Sequence, residues 1–362
     1  MKLLEKIQLG DVSLKNSMVM AAMTRGRADI NGLVGDMTAV YYSQRASAGL
    51  LLSEAIRISE DATGSPLTPG IFTEQQIVSW QKVTKAVHDK GGVIIAQLWH
   101  TGRVGHSVDR NGKLPFAPSP LPIRGMKHFT SQGVKEYEVP QEMTIQEIKQ
   151  TITDYGQAAK NAIAAGFDGV QLHAANGYLP NQFLAESANQ RTDHYGGSIA
   201  NNARFVLEVM QELIRVVGAE KVGIKISPFH PYGDIVLDDP ASTYSHLIEE
   251  LNKLDFAYVE LMRRNPNFAS PEHYGADNEI EFFGRKIRQT VIANAGYDRA
   301  SAEAELENGV AKLISFGRLY IANPDLAERF EKNAPLSEPD RTTMYGGDKQ
   351  GYIDYPLWSE GE

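Results

Sequence analysis

The chain has 362 residues, 42% hydrophobic and 22% charged, enough apolar side chain for a large core and too apolar for a disordered chain. Its net charge of −9 leaves no positive field for nucleic acid or an anionic membrane surface. It contains no cysteine, which removes disulfides, thiolate catalysis, iron–sulfur clusters and Cys-ligated zinc.

Residues 3–16 read as a hairpin turning at Gly10-Asp11. Glu5, Lys6 and Gln8 interrupt the N-terminal apolar run, which argues against a signal peptide. No window approaches 18 uninterrupted apolar residues, so no membrane span is expected. The expectation is a cytoplasmic protein, monomer or homodimer, with no nucleic-acid or membrane partner.

Eight short apolar runs follow: residues 17–21, 50–53, 93–99, 169–173, 222–226, 257–261, 291–293 and 312–316. Near-continuous apolar runs are what strands of a parallel sheet show when both faces are buried. Amphipathic stretches lie between them. Thr73-Glu74-Gln75-Gln76 and Thr144-Ile145-Gln146-Glu147 are capping boxes, closed downstream by Gly91-Gly92 and Gly166. Asn323-Pro324 places a cap residue before an N1 proline and predicts a helix start there. Eight strand–helix units predict an α/β fold, a closed (β/α)8 TIM barrel in a single domain over 1–362; a doubly wound sheet is the alternative. Residues 100–143 are too long for an ordinary loop and carry Pro115, Pro118, Pro120 and Pro122. Following the third strand, they belong on the C-terminal face as a partial lid.

Chemistry in such a barrel sits where strands end. His173-Ala174-Ala175-Asn176-Gly177-Tyr178 places two N–H donors and a phenol within six residues. His173 and Asn176 can donate to one oxygen and stabilise charge developing on it, with Tyr178 giving a proton. Taken alone, the run also fits a satisfied core histidine beside a packing tyrosine. The spacing does not suit a metal. Asn294-Ala295-Gly296-Tyr297 and Phe316-Gly317-Arg318 are glycine-containing turns after the last two strands, a place where barrels hold phosphate, and Arg318 adds a forked cation. Gln97 and Lys225 offer polar groups to a planar ring; Trp99, Tyr178 and Tyr345 offer an apolar mouth.

Ala21-Ala22-Met23-Thr24-Arg25, Ser53-Glu54-Ala55, Gln97-Leu98-Trp99-His100-Thr101-Gly102-Arg103 and the run from His173 to Leu179 together resemble the Old Yellow Enzyme family. So do Asn189-Gln190-Arg191-Thr192-Asp193, Tyr195-Gly196-Gly197-Ser198, Phe316-Gly317-Arg318 with residues 321–325, and Tyr345-Gly346-Gly347. The resemblance implies an ene-reductase with tightly bound, non-covalent FMN, reduced by NADPH or NADH. It would act on the C=C bond of activated alkenes (α,β-unsaturated carbonyls, nitroalkenes) and on nitro compounds or nitrate esters. The implied chemistry is hydride transfer from flavin N5, with Tyr178 as proton donor. Thr24, Ala55, Gln97 and Lys225 would contact the flavin ring, and Ala295, Gly296, Gly317 and Arg318 its phosphate. His173 and Asn176 would bind the substrate oxygen, with Trp99 and Tyr345 shaping the pocket.

Three positions depart from the family's usual pattern: Lys225 for arginine, Ala22 for proline and Ser65 for a pocket tyrosine. Two other readings compete. One is a glycoside-hydrolase barrel pairing Glu54 with Glu260; the other is a flavin carrier without turnover.

Overall fold

All eight apolar runs become strands, because each can bury both faces only inside a closed parallel sheet. The computed structural model describes residues 1–264, 269–275 and 278–359. The strands are β1 Met18–Met20, β2 Leu50–Leu52, β3 Ile94–Trp99 and β4 Gly169–Ala174. Then come β5 Val222–Ile226, β6 Tyr258–Met262, β7 Thr290–Asn294 and β8 Leu313–Phe316. Each pairs in parallel with the next, and β8 pairs with β1 through Ile314 and Met18, which closes the barrel.

The outer helices are α1 Asp36–Gln44, α2 Glu74–His88, α3 Ile145–Ala164, α4 Leu179–Leu184 and α5 Ile199–Val217. The rest are α6 Pro240–Leu251, α7 Arg299–Asn308, α8 Arg318–Ala322 and α9 Leu326–Lys332. Both expected capping boxes form, at Thr73/Gln76 and Thr144/Glu147, and each satisfies two otherwise orphaned helix N–H groups.

Two predicted features are corrected. Asn323-Pro324 does not open a helix: Asn323 closes α8, and α9 starts only after Asp325. Asn323 is held by a longer-range partner, since its amide takes Ser337 N–H at 2.8 Å and donates to Ser337 O at 3.0 Å. The unit between β6 and β7 carries a single π-helical turn, Ile280–Gly284, among its described residues rather than a full helix.

The core has two layers. One fills the space between barrel and helices, with Trp80, Leu98, Leu172, Phe183 and Phe205 among its members. The other lies inside the barrel: Val19, Leu50, Leu52, Ile95, Tyr258, Ile292 and Leu313. Leu9 and Leu14 of the hairpin Ile7–Leu9/Val12–Leu14 join this inner cluster and plug the N-terminal end. Gly10 turns that hairpin at φ +58°, and a Cβ there would fall 2.2 Å from Glu220 O, so only glycine fits.

Residues 100–143 hold their own structure. Lys127–Thr130 pairs antiparallel with Gly133–Glu136, and Phe116–Ala117 pairs in parallel with Gln141–Glu142. Buried arginines tie the segment down. Arg103 donates to Leu121 O at 3.1 Å and Asp234 O at 2.8 Å. Arg191 donates to Pro118 O at 2.9 Å and Met143 O at 2.6 Å, and pairs with Asp193. The Asn189–Asp193 motif is therefore structural, a bracket for the excursion.

Candidate functional site

With one end plugged by leucines, the barrel opens at the C-terminal ends of its strands, where the interior turns polar. Gln97 on β3, Gln171 on β4, Lys225 on β5 and Glu260 on β6 form one buried chain. Gln97 Nε2 donates to Gln171 Oε1 at 2.7 Å, and Gln171 Nε2 donates to Glu260 Oε2 at 2.9 Å. Lys225 Nζ lies 3.5 Å from Glu260 Oε1.

Above this chain β4 ends and the backbone turns sharply. Asn176 has φ +55° and Gly177 φ +78°. A Cβ on Gly177 would lie 2.5 Å from Tyr232 O, so glycine is required there. The turn is clamped from both sides. Asn176 N–H donates to Ser227 Oγ at 3.0 Å and Gly177 N–H to Asn181 Oδ1 at 2.9 Å. Gln182 Nε2 donates to Gly177 O at 2.7 Å and Thr101 O at 3.0 Å, while its Oε1 accepts Arg103 N–H at 3.1 Å.

This clamp brings the predicted donors together with the phenol. His173 is buried and its Nδ1 has no hydrogen-bond partner among the described residues, unlike a satisfied core histidine. Burial, and then the Lys225 charge, holds its pKa well below the usual imidazole range, so the ring is neutral and donates one N–H. Asn176 Nδ2 lies 3.2 Å from the Met262 thioether, a weak acceptor easily exchanged for an oxygen. Tyr178 meets His173 edge-on at 4.9 Å and Trp99 at 5.0 Å. Burial, with Tyr232, Tyr137 and Tyr345 nearby, pushes its pKa up, so the hydroxyl stays protonated. Trp99 Nε1 is also buried without a partner among the described residues.

Tyr345 is 72% exposed and stands at the rim. Its segment is pinned to the β1 end: Gly346 N–H donates to Arg25 O at 2.9 Å, and Arg25 Nε donates to Met344 O at 2.8 Å. Thr24 is half-buried and Ala55 buried, at the ends of the adjacent strands β1 and β2.

The turns after β7 and β8 lie side by side through the Asn294–Ser315 pairing. Ala295 and Gly296 have φ +82° and +73°. The backbone N–H groups of Gly296 and Gly317 find no protein acceptor, and the exposed Arg318 guanidinium makes no ion pair, among the described residues. Space over the turns is open: a Cβ at Gly317 would meet Met23 Sδ at 3.7 Å, and one at Gly296 would meet Arg263 Nη2 at 3.6 Å. Free amides, a free guanidinium and open space fit a phosphate. The buried polar groups of Gln97 and Lys225 fit the edge of an FMN ring beside it, and the unpartnered His173 Nδ1 is left for a further ligand over that ring.

Sequence reasoning missed four residues. Tyr137 from the excursion and Tyr232 from the loop after β5 lie near enough to Tyr178 to help raise its pKa. Gln171 links Gln97 to Glu260. Arg263 donates to Ala295 O at 3.0 and 2.7 Å and lies 3.6 Å over the Tyr297 ring, bracing the phosphate-type turn. The carboxylates that a hydrolase would pair are both occupied: Glu54 accepts Arg25 N–H at 3.2 Å, and Glu260 belongs to the polar chain. Among the described residues, no His/Asp/Glu group could hold a metal, and no helix is long and apolar enough to cross a membrane.

The family model described as NADH:flavin oxidoreductase / NADH oxidase matches residues 2–337. 12-Oxophytodienoate reductase 1 of Oryza sativa subsp. japonica is 41% identical over 362 residues, covering 99% of this chain and 93% of its own. The solved structure of morphinone reductase in complex with tetrahydroNAD is 42% identical, with TM-score 0.92, over 99% of this chain and 98% of that one. An Old Yellow Enzyme homologue from Zymomonas mobilis gives TM-score 0.94 at 38% identity, over 99% of this chain and 100% of its own.

Proposed function

Since the chain belongs to the NADH:flavin oxidoreductase / NADH oxidase family, the Old Yellow Enzymes, and is an FMN-dependent ene-reductase with a nicotinamide reductant, we propose that it reduces activated alkenes at the His173–Asn176–Tyr178 turn. α,β-Unsaturated carbonyls and nitroalkenes are the first class, with nitro compounds and nitrate esters second, and NADPH or NADH as reductant.

FMN, when bound, supplies the hydride chemistry. Thr24, Ala55, Gln97 and Lys225 hold its ring, and Ala295, Gly296, Gly317 and Arg318 its phosphate. His173 and Asn176 bind the carbonyl or nitro oxygen of the substrate. Two neutral donors fixed by a clamped turn stabilise the negative charge that builds on that oxygen, with no reorganisation at the moment of reaction. Tyr178 gives its hydroxyl proton to the α carbon. Trp99 bounds the pocket from within and Tyr345 at its rim.

The observation that carries this reading is the neutral, buried His173 with an unpartnered Nδ1, set edge-on to a protonated Tyr178. Anaerobic absorbance spectroscopy tests it: a nicotinamide should bleach the yellow holoenzyme, and cyclohexenone should restore the colour. Bleaching without recovery by any alkene of a small panel would leave only a flavin carrier.

A further inference from the structure

Glu260 has no place in the reaction just described, yet it is a fully buried carboxylate in the floor of the site. A buried charge persists only when it is paired and hydrogen-bonded. Its partners are Gln171 Nε2 at 2.9 Å and Lys225 Nζ at 3.5 Å.

The direction of those bonds carries the argument. An ionised carboxylate only accepts. Gln171 must therefore turn its NH2 toward Glu260 and its carbonyl toward Gln97. Gln97 must in turn donate Nε2 to that carbonyl, the 2.7 Å bond observed. Among the described residues nothing else takes its Oε1 or its second N–H, which remain for whatever fills the barrel mouth. One anion thus dictates the donor–acceptor order of a side chain two links away. The same anion stands against Lys225, whose charge also reaches His173 and His230 and lowers their basicity.

We propose that Glu260 is a positioning residue of the FMN site: it fixes the face that Gln97 presents to the ring and offsets the Lys225 charge, so it helps set the reduction potential. The inference rests on the reading that Gln97 and Lys225 hold the ring.

The test is an anaerobic redox titration of the holoenzyme with Glu260→Gln and Lys225→Met, together with the FMN dissociation constant of each. The two-electron-reduced cofactor carries more negative charge than the oxidised one, so an uncompensated Lys225 favours it. E260Q should raise the potential, by about tenfold in the two-electron equilibrium or about 30 mV, and loosen FMN. K225M should lower the potential, and the double variant should return near the parent. An unchanged or lowered potential in E260Q, with K225M lowered, overturns the role of Glu260 and leaves that of Lys225 standing. No change in either potential or affinity for K225M overturns the underlying placement of Lys225. If E260Q does not retain FMN, Gln171→Met cuts the link while leaving both charges in place. Looser FMN at near-parent potential is then expected, and parent-like affinity overturns the proposal.

Discussion

The His173 imidazole stands edge-on to the Tyr178 ring with centroids 4.9 Å apart, so a neutral N–H donor and a protonated phenol share one wall of the barrel mouth. On the proposed reading their roles separate in time: His173 would hold an oxygen throughout, and Tyr178 would give a proton only as the alkene is reduced. Tyr178→Phe keeps the ring packing against Trp99 and His173 and removes only the hydroxyl. Rapid mixing should show the substrate half-reaction slowed about 10²–10⁴-fold, the span of a lost general acid, with flavin reduction by nicotinamide unaltered. Equal slowing of both halves would count against proton donation.

Among the described residues, the Arg318 guanidinium has no protein partner and stands beside two glycine amides without an acceptor. Arg318→Ala should weaken FMN binding about 10- to 100-fold, since a charged hydrogen bond contributes roughly 1.5–3 kcal/mol. Riboflavin, which lacks the phosphate, should bind as before. Equilibrium titration of the apoprotein with both ligands decides it; parallel losses would place Arg318 elsewhere in the site.

Stability should fall on mild acidification. Burial and the Arg110 charge hold His100 down to about 3. Burial and Lys225 hold His230 down to about 4, and His173 also lies well below its usual value. Unfolded imidazoles take protons near pH 6.5, so below that the unfolded chain binds more protons and stability drops, by about 1.4 kcal/mol per proton per pH unit. Glu54 acts oppositely: burial raises it from 4.5 to about 7, so its contribution is present at low pH and is lost as pH rises through 7. Three histidines outweigh one carboxylate between pH 6.5 and 4.5. The urea midpoint of the holoenzyme should therefore be lower at pH 5 than at pH 7, with a shallower dependence in His100→Gln. A midpoint that rises toward pH 5 would contradict these assignments.

Gln182 ties the turn from His173 to Tyr178 to the end of β3 through three buried hydrogen bonds. Gln182→Leu keeps most of the volume and orphans Arg103 N–H and two carbonyls. At about 1–3 kcal/mol per buried orphan, the loss should reach about 3 kcal/mol or more in chemical denaturation. A loss under about 1 kcal/mol would mean that water replaces the amide.

Much of the fold was legible because its determinants are local. A buried parallel strand writes itself as an apolar run, as in Val222–Ile226, and a capping box such as Thr144/Glu147 lies within four residues. Asn323 misled because its real partner is Ser337, beyond the reach of a cap motif. The turn from His173 to Tyr178 was readable since its parts are contiguous. Gln171, Tyr137 and Tyr232 were not: each matters through neighbours far along the chain, and a glutamine inside an apolar strand carries no local mark. Glu260 was visible as a strand-end carboxylate, but its partners Gln171 and Lys225 show it to be part of the floor.

The most direct measurement is made on the double variant His173→Ala/Asn176→Ala, with FMN content, phenol binding and enone reduction followed on one preparation. FMN should remain bound, phenol affinity should fall, and enone turnover should drop by about 10²–10³ or more, as when a preorganised oxygen donor is removed. Enone reduction at the parent rate, with FMN in place, would show that the substrate oxygen is held elsewhere.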